Sequence, residues 1–173
     1  MSTQDNTHDA IVHRLQAIQP FTIQQIDTTT GTPSPWAQVT GPSILRDVVI
    51  NPHSLRDQVD TISGFIAHWG RLVAQTRRVW QVHDRRYRHW RSTIELQVLK
   101  EGIEGLDKKP TVAAIEAHYR SLPEYAVMQT AIEDAEEAYN SAVAIFEAFK
   151  EKASQLRRDV RFNQDGSVTR FTA

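Results

Sequence analysis

The residues best suited to chemistry lie between Arg71 and Arg91. Seven arginines (Arg71, Arg77, Arg78, Arg85, Arg86, Arg88 and Arg91) stand there against one acid, Asp84, a local net charge of +6. Trp80, Tyr87, His89 and Trp90 are interleaved with them. A guanidinium presents a planar fork of donors to phosphate oxygens, and an aromatic ring offers its face to an unpaired base. Residue type and spacing therefore point to contact with nucleic acid. A second run offsets the first. From Glu133 to Glu151, six acids (Glu133, Asp134, Glu136, Glu137, Glu147 and Glu151) stand against Lys150, a net of -5. The blander reading is that the two runs neutralise each other within the chain.

Bond-making chemistry finds no comparable pattern. There is no glycine-rich phosphate loop and no nucleophile elbow, and Gly102 and Gly105 lack the preceding strand of a dinucleotide fingerprint. With no cysteine in the chain, disulfides, thiolate metal sites and a thiol nucleophile are excluded. None of the seven histidines has another histidine three or four positions away, so a helical metal pair is missing. His83 reads as a core histidine satisfied by a neighbour, with a pH switch as the sharper alternative. The expectation is a protein that is not an enzyme and carries no cofactor or metal.

The net charge of -1 and pI near 6.7 give no overall pull toward nucleic acid or an anionic membrane, so any such function rests on how charge is distributed. Met1 to Gln19 mixes Asp5, His8, Asp9 and Arg14 among its apolar residues and has no signal-peptide core. No apolar run is long enough to span a bilayer. A soluble, cytoplasmic protein without membrane contact is expected, in the host cytoplasm if a phage encodes it.

Two helices must position these charges. From Leu55 the large residues recur in alternating steps of four and three: Val59, Ile62, Ile66, Trp69, Val73, Thr76, Trp80, His83, Tyr87, Trp90 and Ile94. Only a helix places them on one stripe, and the mean step is that of a coiled-coil seam. Asn51 before Pro52, or Ser54 with Asp57, marks its start. Gly102, Gly105 and Pro110 interrupt the pattern, and Thr111 to Arg120 fits a short helix. Ser121-Leu122-Pro123-Glu124 then reads as a capping box with proline in the first turn. A second seam follows: Tyr125, Met128, Ile132, Ala135, Tyr139, Ala142, Phe146, Phe149, Ala153, Leu156 and Val160. Two such stripes with one break predict an all-α fold, a long antiparallel hairpin resembling a coiled coil, with alanines opposite tryptophans. Residues 85 to 91 are then expected near 129 to 135.

Prolines 20, 33, 35, 42 and 52 crowd the first third, and Thr28 to Pro35 reads as a loop. Thr7 would cap a short helix bearing Ile11, Leu15 and Ile18. The division expected is a loosely structured N-terminal arm over 1–44, anchored by Trp36, a hairpin domain over 45–162, and an irregular tail over 163–173 after the turn signal Asn163-Gln164-Asp165-Gly166. Helical phase sorts the charges. Arg71, Arg78 and Arg85, spaced by seven, point away from the seam, whereas Arg77, Arg86 and Arg91 flank it. Glu133, Asp134 and Glu137 also point outward. The outer arginine row would thus meet nucleic acid or the acidic face of a neighbouring subunit, with an inert solvated face as the third reading. Gly64 and Gly70 lie off the stripe and leave room for another helix. Gly64, Phe65, Glu133 and Glu137 are the candidate oligomer-interface residues. The tryptophans keep the seam spacing and read first as core, second as base-stacking platforms.

The stretch Asp47-Val48-Val49-Ile50-Asn51-Pro52-His53-Ser54-Leu55, the helix with Trp69 and the basic stretch beyond it resemble the UvsY-type recombination mediators of T-even and related phages. Ser121 through Arg161, with its basic end at Arg157, Arg158 and Arg161, resembles that family's C-terminal helix. The resemblance covers roughly residues 45 to 162. It implies a non-enzymatic protein that assembles into a ring of about six or seven subunits. It also implies binding to single-stranded DNA and help for a RecA-like recombinase in replacing single-strand-binding protein. The family's basic segment falls on Arg85, Arg86, Arg88 and Arg91, although its lysines are mostly arginine and tryptophan here. The arm 1–44 has no counterpart in it. The competing expectation is a structural or adaptor protein, such as a phage assembly factor or an inhibitor of a host enzyme, that uses the hairpin to bind proteins.

Overall fold

A computed structural model describes residues 12–103 and 109–168. The Thr7 cap, Ile11, Gly105 and residues 169–173 of the expected tail lie outside the described residues. The fold is mostly all-α, with one small sheet. In chain order it comprises strands β1 (Phe21–Ile26) and β2 (Pro33–Val39), helices α1 (Gly41–Val48) and α2 (Leu55–Glu101), then α3 (Val112–Ser121) and α4 (Pro123–Val168). A 3-10 turn, Pro52–Ser54, leads into α2.

The expected long hairpin is present. α2, 47 residues long, extends roughly 70 Å at 1.5 Å per residue. Its seam meets α4 through stacked rings: Phe65 on Phe149 at 5.1 Å between centroids, Trp69 near Phe149 at 6.5 Å, and Trp80 on Tyr139 at 5.8 Å. The seam thus carries ring-on-ring contacts, and Trp69 shares its buried cluster with Ala138, Ala142, Ala148 and Ala153 of α4. Each ring pair adds about 0.5–1.5 kcal/mol beyond the area it buries. The alanines have another use. Ala135 and Ala138 line a small cavity with Thr22 and Gln24 of β1, so small side chains on α4 make room for the sheet.

At the connection the alignment shifts from that expected. Tyr87 touches Tyr125, 6.2 Å between centroids, where α3 wedges Tyr119 against both Trp90 and Tyr125. Thr111 caps α3 by accepting from the Ala114 N–H, 3.3 Å. The capping box at Ser121 does not form. Ser121 ends α3 and its hydroxyl donates to the His118 carbonyl, 2.7 Å, so Pro123 opens α4 instead. α4 also runs on to Val168, through the Asn163 to Gly166 segment expected to turn.

The N-terminal third is not the loose arm expected. Residues 12–16 are helical and bury Leu15, with Ile18 packed alongside. The alternation in Phe21-Thr22-Ile23 sends Phe21 and Ile23 into the core, at 6% and 1% exposure, and Ile44 and Val48 of α1 join them. β1 and β2 pair antiparallel from Phe21 opposite Val39 to Ile26 opposite Pro33. Asp27 closes the turn by accepting from the Thr29 and Thr30 N–H groups at 2.7 and 3.0 Å, and Gly31 supplies the left-handed φ of 64°. Those two N–H groups hold the Asp27 carboxyl below its ordinary pKa. Trp36 is not the anchor. Ile23 faces Ala37 and Gln24 faces Pro35, so Trp36 is the extra residue of a bulge and stays 52% exposed.

Sheet and α1 cover the hairpin on one side. The Gln75 side chain donates to the Gln24 carbonyl at 2.7 Å. Leu72 and Val79, one row beside the predicted seam, are buried as part of the same cover. Lys152 is buried on α4 and donates to the carbonyls of Asp47 and Val49 at 2.7 and 3.2 Å, closing the C-terminal end of α1. Burial pushes its pKa down, and Asp47 partly opposes this. Among the described residues no helix is long and apolar enough to cross a membrane.

Candidate nucleic-acid interface

All seven arginines of the 71–91 segment are exposed on α2. The helix explains why. Residues one heptad apart repeat nearly the same orientation, so a buried seam forces Arg71, Arg78 and Arg85 onto the opposite side. Short local contacts hold several of them. Arg88 pairs with Asp84 at 2.9 Å and Arg91 with Glu95 at 2.7 Å, both within α2. The Arg91 guanidinium also lies 5.1 Å from the Tyr119 ring centroid, and the Glu95 hydrogen bond holds its pKa above the ordinary value. Arg85 donates through Nε to the Gln81 carbonyl at 3.2 Å. Arg86 reaches the Gly31 carbonyl at the tip of the β-turn, 3.4 Å. Arg71, Arg77 and Arg78 make no ion pair or hydrogen bond among the described residues.

The mutual neutralisation offered by the bland reading is not made by direct ion pairs among the described residues. Among the described residues, no ion pair joins an arginine of α2 to an acid of α4. The four α4 acids Glu133, Asp134, Glu136 and Glu137 are exposed. A surface pair adds little, about 0–1 kcal/mol, so nothing compels these side chains to bridge the hairpin.

The aromatic residues sort differently from the arginines. Trp69 is buried, and Trp80, Tyr87 and Trp90 are half-buried in ring contacts of the seam. Burial and the neighbouring Tyr119 and Tyr125 push the Tyr87 hydroxyl pKa up. These rings take part in the packing of the seam and the connection. His89 is exposed beside the basic row. His83 is half-buried, with Nε2 3.4 Å from Gln24 Oε1. Its pKa is lowered by burial first and by Arg86 second, with Asp134 of α4 opposing them.

Of the four residues singled out for an oligomer interface, the structure places Phe65 inside its own hairpin, stacked on Phe149. Phe65 is thereby occupied, because its phase falls on the edge of the seam facing α4. Gly64 is exposed, and a Cβ there would meet nothing within 4 Å. Gly70 is the glycine that admits a neighbour: a Cβ on it would meet the Phe146 ring at 3.4 Å. Glu133 and Glu137 line a groove of about 520 Å³ between α4 and residues 14–19. Sequence reasoning missed this groove because the segment forming its other wall was read as a loose arm.

No family model, curated protein or solved structure matches the chain.

Proposed function

We propose that the protein is a non-enzymatic recombination mediator of the UvsY type, a homo-oligomeric scaffold for single-stranded DNA. In this reading the phosphates run along the exposed arginines of α2, and Arg85, Arg86, Arg88 and Arg91 form the central contact. The scaffold presents the strand to a RecA-like recombinase in exchange for single-strand-binding protein, in the cytoplasm of a host cell. One observation carries the reading: seven arginines stand exposed on one helix, with no direct ion pair to the acids of α4 among the described residues. Phosphate contact of this kind needs no aromatic platform and is independent of sequence, which suits a protein that coats or delivers a strand.

Titration of a labelled oligothymidylate by fluorescence anisotropy tests it. Affinity is expected to fall steeply between about 50 and 200 mM salt, with a log–log slope near -0.7 per phosphate contact. Replacing Arg85, Arg86, Arg88 and Arg91 with alanine is expected to reduce that slope by about 3 and weaken binding at least tenfold. No binding at low salt, or unchanged binding by the quadruple variant, overturns the reading.

The groove beside Glu133 and Glu137 favours a second reading, a structural or adaptor protein that binds a protein partner. It predicts no DNA affinity and a specific partner in a pull-down from infected cells.

A further inference from the structure

The β-hairpin is fastened to the helices in two different ways along its length. Its base is apolar, with Phe21, Ile23 and Val39 packed in the core cluster. The bulge at Trp36 lies where that anchoring stops, between Ile23 and Gln24. Past the bulge the hairpin is tied to α2 by polar contacts. Gln75 donates to the Gln24 carbonyl at 2.7 Å, His83 Nε2 lies 3.4 Å from Gln24 Oε1, and Arg86 Nη2 donates to the Gly31 carbonyl at 3.4 Å. Ile26, half-buried, is the one apolar side chain of β1 beyond the bulge. The side toward α4 is open, for a cleft of about 340 Å³ lies between Thr22, Gln24 and Pro35 of the sheet and Asp134 and Glu137 of α4. A bulge bends a strand and interrupts its ladder, so a hinge stands where the packing changes character.

The tip beyond that hinge holds itself together. Asp27 to Thr32 are all exposed. The Gly31 N–H donates to the Asp27 carbonyl at 2.8 Å, and the Asp27 N–H donates to the Thr32 carbonyl at 2.9 Å. Together with the Asp27 carboxylate bonds to Thr29 and Thr30, these contacts stay within the turn. The tip can therefore leave α2 intact, giving up only its contact with Arg86.

Arg86 is also one of the four arginines of the central DNA contact in the proposed function, and there the two uses conflict. Neighbouring residues project about 100° apart around a helix. For Arg86 to share a strand with Arg85, its guanidinium must swing away from the turn. Its partner in the free chain is a neutral carbonyl, whereas an anionic phosphate oxygen makes a hydrogen bond roughly twice as strong.

We propose that the outer half of the hairpin, Gln24 to Pro35, is a strap docked over Arg86 in the free chain and lifted when a phosphodiester strand takes that arginine. This rests on the proposed function and adds a control to its central contact. Docking and strand binding then oppose each other reciprocally: loosening the strap raises affinity for the strand, and the strand loosens the strap.

The chain has no cysteine, so a T29C/S92C variant carries nitroxide labels only at the tip and on α2. Diluted into unlabelled chain, it is expected to give one short distance by double electron–electron resonance. Excess oligothymidylate is expected to lengthen and broaden that distance. Q75A removes the shortest tie without touching an arginine. It is expected to keep the helical circular dichroism spectrum and to bind oligothymidylate about threefold more tightly than the wild type. In an R86A background the same change is expected to leave affinity unaltered. A purely structural Gln75 would leave affinity equal or lower it. An unchanged tip distance with strand bound, or Q75A binding no tighter than the wild type, overturns the inference. A wild-type chain that binds no strand defeats the proposed function and this inference together, whereas one that binds with the tip still docked defeats this inference alone.

Discussion

The two ends of the helical hairpin are held together differently. At the open end one large cluster runs from Leu15, Phe21, Ile23, Ile44 and Val48 through Ile62, Trp69 and Leu72 to Ile145, Phe149 and Leu156. It joins four parts of the chain remote in sequence, and the sheet closes one side of it. At the connection the cluster is small, Val98 with Ile115 and Tyr119, and rings of Trp90 and Tyr125 complete it. Among the described residues no strand contributes to it. The β-turn touches α2 last at Arg86, through the Gly31 carbonyl, so α2 carries Arg88 and Arg91 onward from the end of the cover. One end of the molecule is armoured by its own N-terminal third, while Arg88 and Arg91 lie beyond that cover and are held by Asp84 and Glu95 of their own helix.

The largest test of this contrast removes one side chain from each end. Phe149 is 1% exposed and stacks with both Phe65 and Trp69. Phe149→Ala is expected to cost about 3–5 kcal/mol in a urea or thermal melt, through lost transfer energy and the cavity left behind. Tyr119→Ala at the other end empties a smaller cluster and is expected to cost about 2–3 kcal/mol. Equal losses, or a greater loss at Tyr119, would break the comparison.

Lys152 probes the armour itself. Replacing it with methionine keeps the apolar stem but leaves the Asp47 and Val49 carbonyls without their donor. A loss of about 1 kcal/mol is expected, because two part-buried acceptors lose a charged donor. Hydrogen exchange should locate the loosening in α1 and the sheet, with the Tyr119 end unchanged. Uniform loosening would show that the two ends are not separable.

The mildest perturbation is pH. In the folded state burial and Arg86 hold the His83 pKa below its ordinary value of 6.5, so the unfolded chain takes up the proton first. The His83 contribution to stability is therefore complete above about pH 6.5. It declines as pH falls from there toward the lowered folded value and then levels off. Thermal melts at pH 7.5 and 5.5 should show this decline, and His83→Gln should make it shallower. An unchanged pH dependence would remove His83 as a sensor of the sheet's docking.

Much of this architecture was legible in the residues. Periodicity alone produced the two seams because a heptad stripe is a property of local order, and the same stripes placed Arg71, Arg78 and Arg85 outside. The strand β1 was also within reach, since Phe21, Thr22 and Ile23 alternate and Asp27 to Gly31 has turn chemistry. The prolines concealed it, because Pro33 and Pro35 belong to an edge strand where a missing N–H is tolerated.

What the sequence determined by itself was everything set by spacing along one helix: which side is apolar, which arginines are spare and where the chain turns back. What only the tertiary structure decided was pairing between distant segments. Lys152 meets Asp47 and Val49, Leu72 and Val79 disappear beneath a sheet, Phe65 stacks on Phe149 and Glu133 acquires a groove. The physical reason is that helical phase is a local property, whereas these contacts depend on which apolar faces find each other once the chain has collapsed. The structure also determined that, among the described residues, no direct ion pair joins the acidic and basic runs across the hairpin.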